Sequence, residues 1–278
     1  MSAGTEPILT AHLFPKLEKM LIQVLSTLGA DDWEKETIAP KWKVKDVAAH
    51  LLDTELRRLS VCRDGYRGEA PAIGSHADLV AFVNRMNQEG VSIFRRLSPD
   101  ILISLIEQAS SELCDYFASL DPFAPAQWGV SWAGEERSAN WFDIAREFTE
   151  RWHHQQQIRL AVDKPGIMTR ELYYPVLDCF MRALPFHYRT IMRKPSVAAR
   201  FRISGECGGD WYLFRGNESW EFRNAPTQDP VSEAIIPQEI AWRIFTKGID
   251  RDSAKSQIKV SGDIELGTHI LGMISIIG

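Results

Sequence analysis

Residues 145–159 read AREFTERWHHQQQIR, and the side on which each of them falls decides how the chain folds. At about 100° per helical residue, Glu147, Glu150, His154 and Gln157 lie within about 80° of one another, with Asp143 in the same sector. Ile144, Phe148 and Trp152 lie opposite. A helix with one apolar face and one ionisable face buries the first in a core. Glu150 and His154 stand at i and i+4, a spacing at which a carboxylate and an imidazole hold one ion together. His153 lies about 60° from Glu150 on the other side, so helical spacing leaves both histidines open as the ligand. The plain alternative is a solvated Glu/His pair.

A second segment, WKVKDVAAHLLDTELRRLS at 42–60, reads as a helix whose apolar arc holds Val47, Ala48, Leu51, Leu52 and Leu59. His50 sits on the edge of that arc, with Thr54 and Arg57 stacked above it. Alone it reads as a hydrogen-bonded histidine at a core boundary. Joined to Glu150 and His154, it makes two imidazoles and one carboxylate converging inside a helix bundle, where bundles build metal sites. Three protein ligands leave coordination positions open, which suits catalytic zinc and also resembles the facial triad of ferrous iron. No redox cofactor motif accompanies the set, so a divalent metal with zinc as first choice is the expectation. Gln157, one turn beyond His154, is placed to orient it.

Around these segments, apolar residues recur at helical spacing over 13–25, 44–64, 77–97, 103–119 and 140–162, separated by Pro/Gly-containing breaks. That predicts a four-helix bundle, or five antiparallel helices. The pattern breaks at Asp163-Lys164-Pro165-Gly166. After one helix at about 168–183, residues 199–205 and 211–222 alternate apolar and polar with an Arg-Gly-Asn turn at 215–217, as a β-hairpin does. A helix at 237–247, a strand at 257–261 and a helix at 263–275 follow. The fold class expected is α plus α+β, with a helical domain over 1–165 and a small α+β domain over 166–278.

Composition agrees with two ordinary cores. The chain has 278 residues, 45% hydrophobic and 25% charged, with 32 basic and 37 acidic residues for a net charge of −5. Disorder and collagen-like repeats are excluded by the apolar content. Scattered basic residues argue against nucleic acid as a partner. Four cysteines, at 62, 114, 179 and 207, are too few and too separated for a disulfide framework or a closed zinc site, which fits a reducing cytoplasm. No signal peptide or membrane span is expected, because the longest apolar run, 270–278, is short. Cys62 reads as a small buried residue and Arg85 as solvent-facing. Trp128, Trp132 and Trp141 lie in or beside the longest loop, which leads into the 140–162 helix and is a candidate cover for the site.

The segments 42–60 and 148–159 resemble the two signatures of the DinB-like, mycothiol-dependent maleylpyruvate isomerase metal-binding domain. The resemblance puts the first ligand histidine on His50 and the Glu-x-x-x-His pair on Glu150 and His154, in favour of His154 over His153. Many members carry an aspartate three residues further on, where this chain has Gln157. QEIAWRIFTKGID at 238–250 and IKVSGDIELGTHIL at 258–271 resemble the sterol-carrier-like second domain of these isomerases, with Lys247 where members often have arginine. The resemblance implies a thiol cofactor that adds to the double bond of a cis-ene-dioic acid, allows rotation and is eliminated from the trans product. It also implies cations for the substrate's carboxylates, for which Arg57 and Lys247 are the candidates. Two further functions use the same residues: a non-catalytic carrier or sensor with a structural metal, and a metal-dependent hydrolase.

Overall fold

Helix α1 (Phe14–Leu25) carries a proline in its first turn and buries Phe14, Leu17, Leu21, Val24 and Leu25. A single turn, α2 (Ala30–Trp33), leads to α3 (Val44–Arg58), which runs on as one π-helical turn over Leu59–Arg63. Helices α4 (His76–Phe94), α5 (Pro99–Ser119) and α6 (Asn140–Ala161) follow. The Ser75 and Ser98 side chains cap α4 and α5. These coordinates are a computed structural model in which residues 6–69, 71–226 and 228–277 are described. The expected domain ends at 1 and 278 lie outside the described residues.

The bundle is made by α1, α3, α5 and α6, each packed on two of the others, and α4 lies outside it against α3. The α3–α4 approach is close because Gly90 faces Asp53, whose carboxylate would overlap any Cβ at 90. Arg57 Nε donates to Asp53 at 2.9 Å and its Nη2 to Asn87 at 2.8 Å, tying the same two helices.

Beyond α6, the chain forms α7 (Arg170–Met181), α8 (Leu184–His187), β1 (Ala198–Ser204), β2 (Gly209–Arg215), β3 (Trp220–Arg223), β4 (Ser232–Pro237), α9 (Gln238–Phe245), α10 (Arg251–Lys255), β5 (Lys259–Gly262) and α11 (Ile264–Thr268). The sheet order is β3-β2-β1-β4-β5, with β1 and β4 parallel and the other pairs antiparallel. Alternation sets the faces. Ala199, Phe201 and Ile203 point inward with Trp211, Leu213, Ala234 and Ile236, while Arg200 and Arg202 pair with Asp210 on the other face. Helices α9 and α11 pack on β1 and β4.

One buried core runs from Phe14 through Phe148 and Trp152 to Tyr173, Phe201 and Trp242, and a second fills the bundle between α1, α3, α5 and α6. Residue 165 falls in the connection between α6 and α7, and the first core extends on both sides of it. The α plus α+β class therefore stands, and its junction is a packed one. Strand β4 and helix α10 are additions to the expected elements, and the last expected helix stops at Thr268 and tightens into a short turn over His269–Gly272. Among the described residues, no helix is long and apolar enough to cross a membrane.

Candidate metal centre

Three histidines and a carboxylate meet where α3 crosses α6. The His50 and His154 rings lie 4.6 Å apart, edge to face, and the His153 and His154 rings 4.0 Å apart. Glu150 Oε2 is 3.6 Å from His154 Nε2. Tetrahedral ligands about 2.1 Å from zinc stand roughly 3.4 Å from each other, so this pair is already near ligand spacing. The donor atoms of Glu150, His153 and His154 all lie within 4.8 Å of one another. His50 joins the group through its ring contact with His154, and Trp42 covers both rings, at 4.8 Å from His50 and 6.1 Å from His154.

Helix α6 is held from behind. Trp152 stacks on Tyr173 at 4.3 Å with the planes 3° apart and meets Trp242 edge-on at 6.0 Å. The Tyr173 hydroxyl donates to the Gln238 carbonyl at 2.7 Å, and Trp152 Nε1 donates to the Ile167 carbonyl at 3.1 Å. Arg151, buried on the bundle side, pairs with Glu18 and Glu55 and donates to the Leu51 carbonyl. These contacts fix the register that puts Glu150 and His154 opposite His50.

Burial sets the charge states. Desolvation pushes His50 down to about 3, helped by the positive charge of Arg57, and pushes His153 down to about 4. Desolvation also drives His154 well below its ordinary value, with its neighbours His153 and His50 adding to the effect. All three imidazoles are therefore neutral and able to ligate at pH 7. Desolvation raises Glu150 to about 7 against the pull of Arg146, although its side chain keeps 26% exposure. A carboxyl group held back from ionising and imidazoles with free lone pairs form a donor set that a cation satisfies.

Hydrogen bonds orient the rings. Gln157 Oε1 faces His154 Nδ1 at 2.9 Å, which directs Nε2 toward Glu150. The Thr149 carbonyl faces His153 Nδ1 at 2.9 Å. His50 Nδ1 is buried without a hydrogen-bond partner, an orphaned acceptor or donor of the kind an ion or its ligand would satisfy. His50, Glu150 and His154 thus fit a divalent metal, with His153 alongside.

Of the other expected residues, Arg57 lies near enough to His50 to depress it, with 30% of its side chain exposed and bonds to Asp53 and Asn87. Lys247 is exposed just past α9 with φ of 60°, and the next residue, Gly248, lies against Ile38 of the segment that carries Trp42. Arg85 is exposed and pairs with Glu69 and Glu89. Desolvation raises the Cys62 thiol to about 11, so it stays protonated. The long loop's tryptophans go elsewhere: Trp132 and Trp141 pack on Phe142, and Trp128 lies over the Arg58 guanidinium at 4.9 Å. The ring over the histidines is Trp42 instead. Arg58 and Arg146, which share Asp143 and Glu147, also escaped the sequence reading; the Asp143, Arg146, Glu147, Glu150 run at i, i+3, i+4 and i+7 was the signal for Arg146. Two surface grooves of about 260 and 280 Å³ line the outside of the bundle, and neither is lined by His50, Glu150 or His154.

Residues 15–159 match the mycothiol maleylpyruvate isomerase N-terminal domain family. Among solved structures, the chain is similar to a histidine-to-alanine mutant of the mycothiol-dependent maleylpyruvate isomerase, at 12% identity over 91% of this chain and 92% of that one, with a TM-score of 0.50. It is also similar to the crystal structure titled as the mycothiol-dependent maleylpyruvate isomerase, at 12% identity over 84% and 86% of the two chains, with a TM-score of 0.48. A ubiquinone synthesis protein, UbiJ-SCP2, matches 28% of this chain and 69% of its own at 11% identity, with a TM-score of 0.23. The first of these likenesses carries the two-part fold and nothing further. A comparison with curated proteins gives no match.

Proposed function

The chain belongs to the mycothiol maleylpyruvate isomerase N-terminal domain family, and from that premise we propose that it is a metal-dependent enzyme using a low-molecular-weight thiol of the mycothiol type. The reaction is an isomerisation or transfer like that of maleylpyruvate isomerase, on a small substrate such as a dicarboxylate. His50, Glu150 and His154 hold a divalent metal, with zinc as first choice. Bound there, the metal lowers the pKa of a coordinated thiol so that the thiolate forms near neutral pH. The observation that carries this reading is the meeting of neutral His50 and His154 with Glu150, whose oxygen stands 3.6 Å from His154 Nε2.

The chain's own residues supply the rest. Gln157 holds the His154 ring so that Nε2 faces Glu150. Trp42 shields the two imidazoles from water on one side. Burial raises the Cys62 thiol to about 11, against a role as nucleophile, and in this reading the sulfur comes from the thiol cofactor of the family. Arg57 and Lys247 are assigned to the substrate's carboxylates, Arg57 through the exposed part of its guanidinium. Residues 1–165 act as the metal-binding unit and residues 166–278 as the unit that backs α6 through Tyr173 and Trp242.

The test compares wild type with His154→Ala for metal content, then for turnover of maleylpyruvate with and without mycothiol. Metal loss in the variant and thiol-dependent turnover in the wild type are expected. Full metal retention removes the site. Metal loss with ester or amide hydrolysis and no thiol dependence replaces the isomerase reading with a hydrolase, and metal loss without any turnover replaces it with a carrier or sensor.

A further inference from the structure

The loop over 36–43 reaches both cores. Trp42 packs on the core inside the bundle, whereas Ile38, four residues earlier, packs on the core that runs from Phe148 to Trp242. Between them the chain is bonded across itself. Glu36 and Lys43 form an antiparallel bridge, the Thr37 N–H donates to the Trp42 carbonyl at 3.0 Å, and the Trp42 N–H donates to the Ala39 carbonyl at 3.1 Å. The Thr37 hydroxyl donates to the Trp42 carbonyl at 2.8 Å and accepts from the Ala39 N–H at 3.1 Å. A short loop closed in this way moves as one piece, so a displacement at Ile38 is carried to Trp42.

The second unit holds one end of this loop. Gly248, just past α9, is tied to that helix by its N–H to the Arg243 carbonyl at 2.7 Å and by Arg243 Nε to its own carbonyl at 3.2 Å. Ile38 Cδ1 lies so near that a Cβ at 248 would stand 2.9 Å from it, an approach for which the missing side chain makes room. At the other end, the Trp42 ring lies 4.8 Å from His50 and 6.1 Å from His154. From this chain of contacts we infer that Ile38 is a positioning residue for the metal centre: through Gly248 and Ile38, the second unit holds Trp42 over the two imidazoles and controls how freely they are reached. That these imidazoles are ligands rests on the metal-dependent reading above; that they are covered does not. A cover makes the same contacts over the empty and the loaded site, so loosening it speeds entry and exit of a metal by one factor and leaves the affinity unchanged. Ile38→Ala removes three carbons of a half-buried side chain. At the usual stabilisation per buried methylene, halved for that burial, the open form becomes about tenfold more populated.

The test uses the full chain. In the metal-free protein, carbethoxylation by diethyl pyrocarbonate is followed residue by residue with peptide mass spectrometry at His50 and His154, with His187 of α8 as the control. His50 and His154 should react about tenfold faster in Ile38→Ala, with His187 unchanged, and Ile38→Val, which removes only the touching methyl group, should show a smaller rise of the same kind. Trp42→Ala should react fast already, and adding Ile38→Ala to it should give no further rise. With zinc, loading and removal by a chelator should both quicken in Ile38→Ala at unchanged affinity. Unchanged reactivity of His50 and His154 in Ile38→Ala overturns the inference. So does an equal rise at His187, which marks general loosening, or a further rise in the double variant, which shows that Ile38 does not act through Trp42. Zinc affinity lowered in Ile38→Ala at an unchanged loading rate overturns it as well. If the wild type takes up no zinc while the reactivities follow the expected pattern, the cover stands and the metal-dependent reading falls.

Discussion

Replacing Gln157 by leucine isolates the one hydrogen bond that sets the His154 tautomer. In the wild type, Gln157 Oε1 faces Nδ1 at 2.9 Å and the free Nε2 points at Glu150, 3.6 Å away. Leucine has nearly the same volume and removes the acceptor. The ring proton then gains by moving to Nε2, where the Glu150 carboxyl oxygen accepts it, so both proposed ligands become occupied with each other. Metal binding must break that contact and return the proton to an unsatisfied Nδ1. A buried polar group left without its partner costs about 1–3 kcal/mol, which at 1.4 kcal/mol per decade predicts metal affinity lower by roughly 5- to 150-fold. The assay is zinc titration against a chromophoric chelator at pH 7.5, with Gln157→Glu as the control that restores an acceptor. Weakened binding in Gln157→Leu and recovery in Gln157→Glu are expected. Equal affinity of wild type and Gln157→Leu refutes the orientation argument.

Three further outcomes follow from the packing and burial. Trp152→Ala removes a fully buried ring stacked on Tyr173, and urea unfolding should show a loss of about 3–5 kcal/mol; a loss under 1 kcal/mol would mean that the α6–α7 contact does not support the bundle. Gly90→Ala places a methyl group on the Asp53 carboxylate, so unfolding free energy should fall by about 1–3 kcal/mol, with amide exchange quickening along α4 rather than α5. His187 is pushed down to about 4 by burial, with its Nε2 bonded to the His269 carbonyl, so its folded form takes up a proton later than the unfolded chain does. Its contribution is intact above the unfolded pKa of about 6.5 and is lost as pH falls toward 4. Metal-free His187→Gln should lose that proton uptake, flattening the stability slope between these values by up to about 1.4 kcal/mol per pH unit; an unchanged slope would assign the dependence to other groups.

The helices of the bundle were legible because their apolar residues repeat at the helical period, and the stripe of Glu147, Glu150 and His154 was legible for the same reason. His50 became a candidate through its place at the edge of an apolar arc, and the structure puts its ring against His154. Strand β4 was invisible because SEAIIP is short, runs into Pro237, and is specified by parallel pairing with β1 some thirty residues away. Nothing in the spacing singled out Arg151, Glu18 or Glu55, because their pairing joins three helices: α6 is covered on both sides and buries them as ion pairs. Spacing places Cβ atoms and not rings, so it set His153 and His154 as competitors; the structure brings both rings to Glu150. The aromatic cover was sought in the long loop, but Trp42 takes that place because it precedes α3 by two residues and folds back over the ring at His50.

The central claim is that histidines and Glu150, with no cysteine, hold a metal that accepts an external thiol, and X-ray absorption of the zinc-loaded chain tests it most directly. Without thiol, a nitrogen and oxygen shell at about 2.0–2.1 Å with imidazole scattering and no sulfur is predicted, and adding mycothiol should introduce one sulfur at about 2.3 Å. A sulfur shell already present before thiol is added, or none after it is added, would contradict the claim.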